Sequence, residues 1–196
     1  MAKKKRKQYQ FKPDPKGTNL LKKLHLTLQQ RQKLLKWGLL VALCVLLLVI
    51  QDVTMSRFRF SGATTDLAVC IILLIGLYEG MEDGGLFALI ASTFYWFSGS
   101  APGPFVIVYL TGLTLGIGYL RQLFWRRSFG SIALCTGIAI FAYEILIFIT
   151  ALAMGLTIWP RLGVAILTAI LTGIVMMPLY PLVKTIAKIG GETWKE

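Results

Sequence analysis

Residues 66–97 read DLAVCIILLIGLYEGMEDGGLFALIASTFYWF, and this stretch decides the fold class. From Leu67 to Tyr78 the side chains are apolar on every side of a helix, without the one-sided spacing of a soluble amphipathic element. The acidic run Glu79-Gly80-Met81-Glu82-Asp83-Gly84 follows and reads as a turn. A second apolar block, Gly85 to Phe97, closes on Phe94-Tyr95-Trp96-Phe97, aromatics suited to a membrane interface. Two apolar blocks joined by a short charged turn describe a helical hairpin whose solvent is lipid.

Outward from this hairpin the same grammar repeats. Toward the N-terminus, Asp52–Thr65 is a polar loop with Arg57 and Arg59, preceded by an apolar span from Trp37 to Ile50. Toward the C-terminus, the break Ser98-Gly99-Ser100-Ala101-Pro102-Gly103-Pro104 leads into a fourth span, Phe105–Leu120. A fifth covers Ser131–Leu156, and a sixth, after Trp159-Pro160-Arg161, covers Leu162–Val183. The chain is 56% hydrophobic and only 15% charged, with a mean hydropathy of +0.67. Such a composition supplies a thin polar coat for a soluble domain. The expected class is all-α, a polytopic membrane protein with six transmembrane helices.

The net charge of +12 is concentrated in one place: twelve of the 21 Lys and Arg fall in residues 1–36. Residues 1–19 form an expected disordered basic cytoplasmic tail. Over residues 20–36, Leu20, Leu21, Leu24, Leu28 and Leu35 recur at helical spacing. Lys22, Lys23, Arg31, Lys33 and Lys36 lie between them. That pattern predicts an amphipathic interfacial helix whose cations meet anionic lipid headgroups, and it points away from nucleic acid. Residues 37–184 then form the transmembrane domain and 185–196 a cytoplasmic tail. Six spans with both termini in the cytoplasm put 18 Lys and Arg inside and only Arg57, Arg59 and Arg161 outside.

The residues that could carry chemistry are few. His25 is the only histidine and lies in the arm; Cys44, Cys70 and Cys135 sit singly in apolar runs. No catalytic, cofactor or metal set is therefore expected, and the chain reads as a non-enzyme. Glu144 is the one ionisable group near the middle of a span, where a charge costs at least ~2.5 kcal/mol unless paired or protonated. A proton relay, a ligand contact and a partner contact are open to it, but a hydrogen bond to Tyr109, Tyr119 or Thr111 is favoured. Gly112 and Gly116, and likewise Gly76 and Gly80, form G-x-x-x-G faces, for which packing within the chain is favoured over a dimer face. Asp52 and Asp66 sit at span boundaries, where a carboxylate can cap a helix start or remain hydrated.

Residues 61–144 resemble the bacterial rod shape-determining protein family MreD. The resemblance rests on Thr65-Asp66-Leu67 leading into the second helix, Gly80 and Gly84-Gly85 in the turn, and Ser98-Gly99 with Pro102-Gly103-Pro104 after the third. It continues through Tyr109, Gly112 and Gly116, the basic patch Arg121–Arg127, and Tyr143-Glu144 in the fifth helix. The family often carries an acid where this chain has Tyr95-Trp96-Phe97, and a proline where it has Thr65. The resemblance implies a multi-pass subunit of the bacterial cytoplasmic (inner) membrane that binds an MreC-like protein. It would act in cell shape and peptidoglycan synthesis beside MreB, the rod-complex (elongasome) glycosyltransferase and its transpeptidase. It also implies a six-helix fold similar to the substrate-binding subunits of energy-coupling-factor vitamin transporters. That transporter role is the alternative, although Gly38–Ile50 lacks the Ala-x-x-x-Ala docking face of such subunits.

Overall fold

A computed structural model of the chain describes residues 28–55, 62–124 and 129–189, about 86% of them helical. Six α-helices follow one another: α1 Leu28–Ile50, α2 Leu67–Glu79, α3 Met81–Phe97, α4 Phe105–Phe124, α5 Phe129–Ala153 and α6 Leu162–Ala187. A π-helical turn, Gln51–Met55, extends α1, and a 3-10 turn, Trp159–Arg161, leads into α6.

The bundle is organised around α2. Every one of its thirteen residues is buried, which is what a helix apolar on all sides requires. α3, α4, α5, α6 and α1 all pack against it. Those outer helices keep large apolar side chains exposed, among them Val45 and Leu46 on α1, Ile90 and Phe94 on α3, Ile138 on α5 and Ile174 on α6. A water-soluble protein seldom shows so continuous an apolar exterior. The segments Gln30–Val53, Phe129–Ala153 and Trp159–Ala187 are long and apolar enough to cross a membrane. Leu67–Glu79 and Phe105–Arg121 are apolar but shorter.

Several element boundaries differ from the sequence reading. α1 runs unbroken through the expected junction at residues 36 and 37, because the apolar periodicity of Leu34 and Leu35 continues into the span without a breaker. The acidic run after Tyr78 is not an extended turn. Gly80 alone reverses the chain, with φ +92°, a conformation that favours glycine. Glu82 and Asp83 then occupy the first turn of α3, where the helix dipole favours negative charge. The expected tail 1–19, and Lys22 and Lys23 of the arm, lie outside the described residues, as do Arg57, Arg59 and residues 190–196.

At about 1.5 Å per residue α2 is ~20 Å long, against ~30 Å of hydrocarbon in a bilayer. In a membrane both its ends would fall short of the headgroups. Its unsatisfied backbone groups must therefore find partners inside the protein. The two ends solve this differently, and one of them forms a cavity.

Candidate functional site

At the start of α2, Asp66 is the capping residue. Its Oδ1 accepts from the Val69 amide at 3.2 Å, and Gln51 Oε1 accepts from the Ala68 amide at 2.7 Å. The Asp66 amide donates to Thr172 Oγ1 on α6 at 3.0 Å. The second carboxylate oxygen, Oδ2, accepts from the Tyr95 hydroxyl at 2.6 Å. One aspartate thus ties α2 to α3 and α6, while Gln51 adds the end of α1. Nearby, Ser100 Oγ donates to Asp52 Oδ1 and fastens the loop between α3 and α4 to the turn after α1.

Above these contacts opens a cavity of about 350 Å³. Asp66, Tyr95 and Gln51 form part of its wall, Tyr143, Glu144 and Phe148 of α5 another part, and Thr168 and Arg161 complete the side from α6 and its leading turn. The volume falls at the small end of the range of ligand pockets. Most polar groups on the wall that cap α2 are already engaged. The Tyr143 side chain is 1% exposed, and its hydroxyl lies beside that of Tyr95, sealed from the cavity space. Glu144 lines the cavity and accepts no hydrogen bond from a described residue.

This arrangement corrects the expectation for Glu144. Tyr109, the first of its expected partners, shares a 2.7 Å hydrogen bond with Thr150 instead, and Glu144 faces the cavity. The structure brings Asp66 to the same cavity as the Tyr143-Glu144 pair, although they are distant in sequence.

The other end of α2 is closed by charge. Lys36 Nζ and Glu79 Oε2 form a 2.6 Å ion pair whose side chains are 5% and 1% exposed. Arg121 Nη1 donates to the Leu77 and Tyr78 carbonyls, 2.7 Å each, and satisfies the open end of the helix. Lys36 was expected at the lipid surface; it is buried, because α1 leans on α2 and a desolvated ammonium needs the Glu79 carboxylate. Lys33 remains exposed and Arg31 half-buried.

The glycines also divide. A methyl group on Gly76 would strike the Thr114 side chain, and one on Gly84 would sit 2.6 Å from the Gly76 carbonyl oxygen. α2, α3 and α4 therefore meet backbone to backbone near Gly76 and Gly80. Gly112 and Gly116, expected to pack inside the chain, lie exposed on α4 with nothing within 4 Å of an added methyl.

Gln51, Thr172 and Tyr95 escaped the sequence reading as site residues. Gln51 alone had a signal, as the first polar residue after the apolar run ending at Ile50. No protein-family model, curated protein or solved structure matches the chain.

Proposed function

We propose that this chain is a non-catalytic subunit of the bacterial rod-elongation complex, crossing the cytoplasmic membrane six times with both termini inside and binding an MreC-like protein. The reading rests on the residues that resemble the MreD family, some of which hold helices in this fold. Asp66 fixes the start of the buried helix α2, and Gly76, Gly80 and Gly84 let α2 and α3 cross closely at its far end. A rigid bundle of this kind suits a protein whose task is to present a fixed surface to partners. The distribution of Lys and Arg supports the orientation.

The test is co-expression of the affinity-tagged chain with the MreC-like protein of the same genome, followed by purification in mild detergent and complementation of a shape-defective deletion strain. Stoichiometric recovery of the MreC-like protein and restored rod shape are expected. Recovery of transporter ATPase subunits in its place would overturn the reading.

A second reading is favoured by one observation, the 350 Å³ cavity with polar groups on its wall. A substrate-binding subunit of an energy-coupling-factor type transporter needs such a cavity, whereas a scaffold does not. Neighbouring reading frames that encode ATPase subunits would favour it.

A further inference from the structure

Two opposite charges line the cavity and do not meet. Glu144 stands on α5 without a hydrogen bond from a described residue, and Arg161 stands exposed in the turn before α6. Lys36 and Glu79, which do pair, lie at the other end of α2. The cavity end therefore offers an unengaged carboxylate and an unengaged guanidinium within one volume of about 350 Å³.

A charge left alone in a desolvated place is costly, so an acid there takes up a partner or a proton. The described residues supply Glu144 with no partner, while Asp66, on the same cavity, already has both oxygens accepting, from Val69 and Tyr95.

We propose that this cavity binds a small zwitterion, its ammonium group against Glu144 and its anionic group against Arg161. An ammonium ion has three N–H donors, which match the oxygens of the Glu144 carboxylate. The guanidinium matches a carboxylate or phosphate through paired N–H donors. Thr168 and Phe148 also line the cavity, adding a hydroxyl and an apolar surface. An ammonium and an anion joined by a short linker occur both in free amino acids and in the phosphoethanolamine headgroup of a lipid. The inference goes beyond the scaffold reading and holds or fails independently of it.

The experiment uses the purified full-length chain in a detergent without amine headgroups and follows thermal unfolding. Glycine, β-alanine and γ-aminobutyrate are the free zwitterions, with propylamine and propionate as single-charge controls. A parallel arm compares phosphatidylglycerol nanodiscs with and without phosphatidylethanolamine. At ligand about tenfold above Kd, a rise in Tm of about 3 °C is expected from at least one zwitterion or from phosphatidylethanolamine. The controls should give no comparable rise.

Glu144→Gln should weaken the response about tenfold or more, as expected for loss of a charge-assisted contact in a desolvated site. Arg161→Gln should reduce the zwitterion to the level of propylamine. A response confined to phosphatidylethanolamine and lost in Glu144→Gln assigns the site to a lipid headgroup; one in detergent assigns it to a free solute. The proposal is overturned by no shift in either arm, by propylamine or propionate matching the zwitterions, or by folded Glu144→Gln and Arg161→Gln proteins that respond as the parent does. Co-purification of an MreC-like protein is a separate readout and tests only the scaffold reading.

Discussion

Replacing Lys36 with Met tests how the closed end of α2 is held. The ion pair with Glu79 is 2.6 Å long and almost fully buried. Breaking a buried pair by removing one partner typically costs about 3–5 kcal/mol, because the remaining charge is stranded. Two features push this case toward the lower bound. The Arg121 guanidinium lies near enough to Glu79 to act on it, and a Lys36 left alone by Glu79→Leu can extend its stem toward water. Each single replacement should therefore cost about 3 kcal/mol, which for a chain of this length lowers Tm by about 6–12 °C. The double variant Lys36→Met/Glu79→Leu removes both charges and should return to within about 1 kcal/mol of the parent. The assay is thermal unfolding of the four proteins in one detergent, read as a double-mutant cycle. Additive losses, or singles that each shift Tm by less than about 2 °C, would show that the pair does not hold this end.

Three further outcomes follow from the same geometry. Gly84→Ala places a methyl 2.6 Å from the Gly76 carbonyl and should lose about 1–3 kcal/mol, while Gly112→Ala, with open space around it, should be neutral or slightly stabilising in thermal unfolding. Tyr95→Phe deletes the 2.6 Å hydrogen bond to Asp66 and should lower stability by about 2 kcal/mol; a change under about 0.5 kcal/mol would remove Asp66 as the tie between α2 and α3. A cysteine at exposed Ser100, placed in a background where Cys44, Cys70 and Cys135 are replaced by Ala, should react with an impermeant thiol reagent from outside intact cells. Protection there, with reaction from outside at a cysteine replacing Thr193, would invert the orientation.

Much of the fold is legible in the sequence because membrane helices announce themselves locally. The run from Leu67 to Tyr78 is apolar on all sides and reads as one helix, and α2 forms there. The Gly-Pro break before Phe105 and the Trp-Pro-Arg sequence before Leu162 mark helix starts at the residues where α4 and α6 begin. Asp66 at the head of α2 is readable as a cap for the same reason: its place in the chain determines which amides it can reach.

The sequence by itself determined that the chain is helical, apolar and broken at these points, since those properties depend on neighbours a few residues apart. It could not say which side of a uniformly apolar helix faces protein and which faces lipid, because both environments accept the same side chains. Tertiary structure alone decided that Gly76 and Gly84 meet at a crossing while Gly112 and Gly116 face outward. It likewise decided that Lys36, readable only as one cation in a basic arm, pairs with a carboxylate 43 residues away. The cavity has the same origin. Asp66, the Tyr143-Glu144 pair and Arg161 come from three places in the chain, and only the packing of α2, α5 and the turn leading into α6 sets them around one space.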